Sequence, residues 1–270
     1  MKISYNTLSK NYLVEGVKTF KEEGQVNSSR IKIRIEPGSP SVFTNFQKIK
    51  FSREIISSKK ELPVFDSFIR DSAKILGKYE LELDSKGVPY KIVKHKDIWK
   101  QWLYYADVLH SKYSGEWVEK QIGLITHRIA DKDIFLETLM DDFIMNELFA
   151  RDIYRIKFDD KINVCNRTWP ESGLGILMNF NQECKVKISS KEDRLYIKGF
   201  VDLPKYKKLL NGYFKDKKYQ FEDIESITQD TVYYSNDISC IPYRIESKFL
   251  INGHDKPYKE ISIRLNIEEV

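Results

Sequence analysis

Alternation of apolar and polar residues at both ends of the chain is the feature that most restricts its fold. In residues 31–35 isoleucines alternate with charged residues, and residues 261–267 repeat the same pattern with Ile and Leu. A period of two places every second side chain on one face of a strand. Both ends therefore predict antiparallel sheet with one buried face and one solvated face.

The middle of the chain, about residues 96–152, has a helical period instead. Ile98, Trp102 and Leu109 fall on one face of a helix, and Ile122 and Ile129 fall on one face of a second. Asp131 is suited to cap a third helix, whose apolar face is predicted to continue through residues 135–148, Phe143 included. These patterns predict two or three antiparallel helices.

The pattern as a whole predicts an α+β fold. Antiparallel β-rich lobes at the N- and C-termini flank a central helical insert, with boundaries at residues 1–95, 96–160 and 161–270. Each lobe is expected to carry one short helix, starting near Pro63 and near Pro204, because proline is well tolerated in a first helical turn. Pro170, Gly173 and Gly175 predict that residues 163–175 form a loop.

One pattern suggests an internal duplication. After an ungapped shift of 153 residues, residues 88–92 (Val-Pro-Tyr-Lys-Ile) align with residues 241–245 (Ile-Pro-Tyr-Arg-Ile), and Asp84 aligns with Asp237. Both copies read as a strand, an acidic turn and a returning strand that begins with proline. The prediction is two equivalent hairpins, with Tyr90 and Tyr243 on the same face of their lobes. The alternative is coincidence in a chain rich in Tyr, Lys and Ile.

The hairpin sequence Asp-x-x-Gly-x-Pro at residues 84–89, taken with the long last strand, is similar to the open, curved sheets of bacterial lipid-carrier proteins. The similarity rests on hairpin chemistry and assigns no family. It implies a cavity between a curved sheet and a helix, and so keeps a carrier of an apolar small ligand or lipid as one functional alternative.

Charge and cysteine content narrow the class of protein. The chain has 45 basic and 40 acidic residues, a net charge of +5, and basic residues alternate with acidic ones almost throughout. Nucleic-acid binders usually concentrate basic residues on one face, so nucleic acid is an unlikely partner. Three cysteines without a Cys-x-x-Cys pair do not indicate a disulfide framework or a structural zinc site. No apolar run approaches the length of a membrane span, so we expect a cytoplasmic protein.

The sequence contains none of the common catalytic motifs. The chain has no glycine-rich nucleotide or phosphate loop, no nucleophile elbow and no zincin helix. Its four histidines are not spaced as metal ligands on one helix or strand. The run Asp159-Asp160-Lys161 resembles a fragment of a metal-dependent nuclease site, although its context indicates a turn. We therefore predict no catalytic, cofactor-binding or metal-binding residues, while an enzyme with a site assembled from scattered residues stays open.

The functional hypothesis from sequence is a non-enzymatic bacterial protein-binding protein, such as an adaptor, a secretion chaperone or an immunity-type inhibitor. Its partner would be another protein, for example a secreted toxin or an assembly component. Codon usage implied by many Lys, Ile and Asn residues favours a bacterial or phage source. Aromatic side chains are frequent interface anchors, and the partner-binding candidates are Tyr90, Tyr243, Trp99 and Trp117. The alternatives are the apolar carrier and a nucleic-acid-binding protein, whose bases would stack on residues such as Tyr90 and Tyr243.

Overall fold

The computed structural model of the chain describes residues 10–22, 24–38, 47–57, 64–84, 87–149, 163–169, 178–187, 192–215, 220–236, 241–254 and 257–270. Within these ranges the strands are β1 (Tyr12–Glu22), β2 (Gln25–Pro37), β3 (Gln47–Ser57), β4 (Lys78–Leu83), β5 (Pro89–Val93), β6 (Asn163–Trp169), β7 (Met178–Lys187), β8 (Asp193–Val201), β9 (Ile224–Ser235), β10 (Arg244–Gly253) and β11 (Pro257–Glu269). The α-helices are α1 (Val64–Leu76), α2 (His95–Lys112), α3 (Glu116–Ala130), α4 (Lys132–Met140), α5 (Phe143–Phe149) and α6 (Leu203–Phe214). Four consecutive helices lie between two groups of antiparallel strands, which confirms the predicted α+β class.

The chain divides into two compact units. The first contains the described residues of Gly16–Ser29 and Asp141–Ile267, and the second those of Tyr5–Glu15, Arg30–Met140 and Glu268–Val270. In the first unit the strands follow the order β1-β11-β10-β9-β8-β7-β6, with β1 represented from Gly16 onward, and in the second the order β5-β4-β3-β2, with β2 represented from Arg30 onward. The domain boundaries expected from the sequence, at 95/96 and 160/161, stay predictions.

In the first unit, the inward side chains of the sheet form an apolar core against helices α5 and α6. Phe180 on β7 meets Phe249 on β10 edge-to-face, with ring centroids 6.3 Å apart. Helix α6 buries Tyr206, Leu210 and Phe214, and the backbone N–H of Asn179 donates a 2.7 Å hydrogen bond to the Tyr206 hydroxyl. Phe143, at the start of α5, is 1% exposed, as its place in the apolar stripe predicted.

In the second unit, helices α1 to α4 follow the predicted stripes. Trp102 is fully buried, and its indole N–H donates to the Thr126 hydroxyl at 2.9 Å, which ties α2 to α3. The Asp131 carboxylate accepts hydrogen bonds from the backbone N–H groups of Asp133 and Ile134, so it caps α4 as expected. Gly87, predicted as a turn residue, has a φ of 76° that favours glycine.

Two local predictions were wrong, and one strand was not predicted. The expected third helix is two helices, because Asp142 accepts hydrogen bonds from the N–H groups of Ile144 and Met145 and so starts α5 as a new helix. Residues 163–169, expected within a loop, form β6, which pairs with β7 along its whole length. Strand β1 was not predicted, because its alternation is interrupted near Gly16 and Lys18.

The chain order supports part of the predicted duplication. Strands β1–β3, helix α1 and strands β4–β5 recur in order as β6–β8, α6 and β9–β10. The ungapped shift equates Ile92 with Ile245 and Leu81 with Tyr234. Ile92 pairs with Leu81, but Ile245 pairs with Tyr233, so the shift is wrong by one residue in the strand pairing. In addition, β5 is an edge strand while β10 lies between β9 and β11. Asp237 lies outside the described residues, and the equivalence of the two lobes stays a prediction.

Candidate functional site

The four candidate partner-binding residues lie in different local environments. Tyr90 is on the edge strand β5 and is 39% exposed, and desolvation followed by the nearby Glu82 carboxylate raises its pKa. Trp99 is half-buried on α2. Trp117, on α3, is 38% exposed, and its ring meets Phe68 of α1 edge-on at 5.3 Å between centroids. The structure brings Trp99 and Trp117 onto neighbouring helices of the second unit.

Tyr243 belongs to a different cluster, in the first unit. Its hydroxyl donates a hydrogen bond to Glu192, which also pairs with Arg194. The hydrogen bond to Glu192 is the largest cause of the raised pKa of Tyr243, because ionising the phenol would place two negative charges together. The guanidinium of Arg244 lies 4.0 Å from the centre of the neighbouring Tyr234 ring. Tyr243 is therefore held by partners within its own unit.

Exposed apolar side chains are concentrated on the helices of the second unit. The set consists of Leu103, Tyr104 and Val108 on α2, Trp117 and Leu124 on α3, and Ile134 on α4, with exposures of 38–75%. We call these six residues the exposed helical set. Other large exposed apolar residues in the described part of the chain, such as Val26 and Leu209, are dispersed over distant elements.

Helical geometry explains why these side chains are exposed. Helix α2 buries Ile98, Trp102, Ala106 and Leu109, which form one stripe. Tyr104 and Val108 are four residues apart on the opposite face of the same helix, and Tyr104 is 75% exposed. Trp117 and Leu124 are seven residues apart and share a face of α3. The sequence signal for this set was the presence of apolar residues outside the buried stripe. Of the six residues, only Trp117 was predicted from the sequence as a binding residue.

Charged side chains of both signs accompany the exposed helical set. Lys96 and Lys100 are exposed near the start of α2, and Glu116 and Glu119 are exposed near the start of α3. His110 lies 3.1 Å from a carboxylate oxygen of Glu119 across the two helices. A polar rim around exposed aromatic and aliphatic side chains is the usual composition of a protein interface.

A buried polar network lies under α5 in the first unit. Glu147 is fully buried, and its carboxylate accepts hydrogen bonds from the Tyr233 hydroxyl at 2.6 Å and the Ser247 hydroxyl at 3.1 Å. The Gln229 amide lies 3.3 Å from the same carboxylate and receives a 2.8 Å hydrogen bond from Gln182. All five residues are at most 2% exposed, so this network holds α5 on the sheet and is closed to a ligand.

Gly199 makes room for the network. It stands between Gln182 and Gln229 in the strand register, and a Cβ there would lie 3.2 Å from the Gln182 side chain. The absence of a side chain at residue 199 thus lets Gln182 reach across β8 to Gln229. Sequence patterns gave no signal for this contact, because the two glutamines are 47 residues apart.

Two further properties of the described residues bear on function. They contain no group of three or more His, Cys, Asp or Glu side chains placed to hold a metal ion. None of the helices they form is both long enough and apolar enough to cross a membrane. The Asp159-Asp160-Lys161 run lies outside the described residues.

Comparison with known proteins gives no family. No protein-family model and no curated protein matches the sequence. Among solved structures, the chain is similar to the crystal structure of Rv2717c from M. tuberculosis, with 4% identity, 99% of each chain covered and a TM-score of 0.26. It is also similar to a DUF1329 family protein from Desulfovibrio piger ATCC 29098, with 8% identity, 98% of this chain and 87% of that chain covered and a TM-score of 0.22. Similarities this low carry no argument about fold or function.

Proposed function

We propose that this protein acts by binding another protein through the exposed helical set of α2, α3 and α4. The observation that carries the proposal is the concentration of six exposed apolar side chains between residues 103 and 134. Single exposed apolar residues are normal on protein surfaces, whereas a concentration of them with a polar rim is typical of interaction sites. The partner we infer is a protein that presents an apolar surface of its own.

Tyr104 and Trp117 are the proposed anchors of this interface. Tyrosine and tryptophan contribute most often to binding energy, because each buries a large surface at a small loss of side-chain freedom. Tyr104 is the most exposed member of the set, so it loses the most water-accessible surface on binding. Trp99, half-buried on the same helix, would lie at the margin of the interface.

The kind of partner is part of the same proposal. The partner we propose is a secreted toxin or an assembly component. This protein would bind it in a bacterial cytoplasm as an adaptor, a secretion chaperone or an immunity-type inhibitor. Buried Cys184 is compatible with a reducing compartment. We propose binding through helices because the exposed apolar side chains are concentrated on helices.

The alternatives have less support. A carrier of an apolar ligand needs a cavity, but Phe180, Tyr233 and Phe249 on the inner sheet face of the first unit are fully buried. Nucleic-acid binding needs a concentrated basic face, and the basic side chains described here are interleaved with acidic ones.

Site-specific cross-linking tests the proposal. A photoreactive residue is placed at position 104, or as a control at exposed Lys208 on α6 of the first unit, in cells of the native host. We expect a discrete covalent adduct with one protein from position 104 and a much weaker one from position 208. The purified partner is then titrated against the wild type, Tyr104→Ser and Lys208→Ser.

The titration decides whether the helices carry the affinity. Tyr104→Ser should weaken binding about tenfold or more, as expected for an aromatic anchor, while Lys208→Ser should change it little. Equal adducts from both positions, or equal affinities of both variants, would contradict the proposal.

A further inference from the structure

The outer face of the sheet in the first unit carries a furrow that the proposed function does not use. Two adjacent depressions of about 580 and 300 Å³ share Asp230 and Val232. The larger is lined from β1, β11, β10 and β9, and the smaller from β9, β8 and β7, which are consecutive strands in the sheet. With neighbouring strands about 4.8 Å apart, the furrow extends roughly 24 Å across six strands.

Strand register arranges the furrow walls in two rows. One row runs from Glu183 through Lys198 and Asp230 to Lys248, each facing the next across a strand pair. The charges along this row therefore alternate in sign at the spacing of neighbouring strands.

The second row begins at Lys185 and continues through Tyr196 and Val232 to Glu246 and Arg264. Val232 and Val17 provide apolar surface in the furrow, and Tyr196 provides an aromatic ring. Both rows together present three carboxylates and four basic groups, and the carboxylate of Glu246 pairs with Arg264 at 2.9 Å.

This arrangement selects among extended ligands. A polyanion such as nucleic acid would place phosphates beside Glu183 and Asp230, where like charges repel. An added β-strand needs unpaired backbone groups, whereas β11, β10, β9, β8 and β7, which form most of the furrow, each have a hydrogen-bonded strand on both sides. A neutral chain of hydroxyl groups fits both signs, since a hydroxyl donates to a carboxylate and accepts from an ammonium group.

We propose that this furrow binds a linear, neutral oligosaccharide. The alternating side chains hydrogen-bond successive sugar hydroxyls, and the C–H faces of the sugar rings pack on Val17, Val232 and the ring of Tyr196. Asp230 is central, because its carboxylate is exposed and lies where the two depressions meet. The site lies in the first unit and is independent of the exposed helical set.

Nuclear magnetic resonance titration tests the inference with four probes: linear hexasaccharides of β-1,4-glucose, β-1,3-glucose, α-1,4-glucose and β-1,4-N-acetylglucosamine. At least one of these sugars should shift the methyl resonances of Val17 and Val232, and the shifts should reach a plateau as the sugar concentration rises. Asp230→Ala should weaken that binding about tenfold, as expected for hydrogen bonds to a charged group. Glu225→Ala, a matched loss of an exposed carboxylate on the same strand but outside the furrow, should leave it unchanged.

Three results would overturn the inference. The first is that no probe shifts either valine at millimolar concentration. The second is that Asp230→Ala and Glu225→Ala bind the active probe equally well. The third is that single-stranded DNA shifts the same resonances more strongly than any sugar, with a steep dependence on salt, which would assign the furrow to a polyanion.

Discussion

Removal of the Asp71 carboxylate should loosen the attachment of α1 to α2. Asp71 is buried on α1, and its carboxylate accepts a 2.8 Å hydrogen bond from the Tyr113 hydroxyl and a short one from Lys112. Lys74 lies 2.8 Å from the other carboxylate oxygen. Burial by itself raises the pKa of Asp71, but the hydrogen bonds from Lys112, Lys74 and Tyr113 together outweigh it and lower the pKa well below its usual range.

The expected loss in free energy of unfolding depends on which hydrogen-bonding partner of Asp71 stays buried after the substitution. In Asp71→Ala the two lysines regain water, because their side chains are 55% and 62% exposed. The Tyr113 hydroxyl, on a residue only 8% exposed, loses its acceptor. An unsatisfied buried hydroxyl costs about 1–3 kcal/mol, so we expect the free energy of unfolding to fall by about 2 kcal/mol at pH 7.

Urea denaturation of the wild type and Asp71→Ala at pH 7, 5 and 3 measures this effect. Since the folded-state pKa of Asp71 lies below the unfolded value of about 3.9, its stabilisation is complete above that value and is lost as the pH falls toward the folded pKa. The wild type and Asp71→Ala should differ in free energy of unfolding by the same amount at pH 7 and pH 5. At pH 3 this difference should be smaller by about 1 kcal/mol. Asp107→Ala, which removes an exposed carboxylate from α2, is the control and should not lower the stability. A cost below about 1 kcal/mol at pH 7, or a difference that does not narrow at pH 3, would refute the reasoning.

Three further predictions concern the first unit and the whole chain. Phe143→Ala should lower the free energy of unfolding by roughly 3–5 kcal/mol, because the ring is 1% exposed; an unchanged denaturant midpoint would show that the site collapses without cost. Tyr233→Phe should cost about 1–3 kcal/mol, since it removes the 2.6 Å hydrogen bond to buried Glu147; equal stability of the two proteins would mean that water or another donor replaces it. Binding to DNA or RNA at physiological salt should be weak and independent of sequence, because the net charge is only +5 and dispersed; a tight complex in a filter-binding or anisotropy assay would contradict this.

Local patterns predicted the elements whose formation depends on neighbours in sequence. The helical stripe that includes Trp102, the cap at Asp131 and the turn at Gly87 each arise from side chains within a few residues of one another. The α+β class followed from the same periodicities. Strand β6 was missed because the proline and glycines that follow it indicated a loop and its own sequence does not alternate between apolar and polar residues. Pairing with β7 decides its conformation.

The candidate sites were only partly accessible to sequence reasoning. Aromatic content indicated Trp99 and Trp117 on the helices, but Tyr104 was not singled out, because a helical period alone does not say how much of the opposite face other elements cover. The furrow depends on the register of β7 to β11 and on β1, which decides that Asp230 faces Lys198 on one side and Lys248 on the other.

The sequence by itself determined which segments become strands or helices and which of their faces is apolar, since periods of 2 and 3.6 residues are local properties. Only the tertiary structure decided which distant segments meet. Gln182 reaches Gln229 and Glu147 reaches Tyr233 across 47 and 86 residues of chain, and neither contact leaves a pattern in its own neighbourhood. The physical reason is that strand order and register depend on the packing of the whole sheet, where a shift of one residue moves every side chain to the other face.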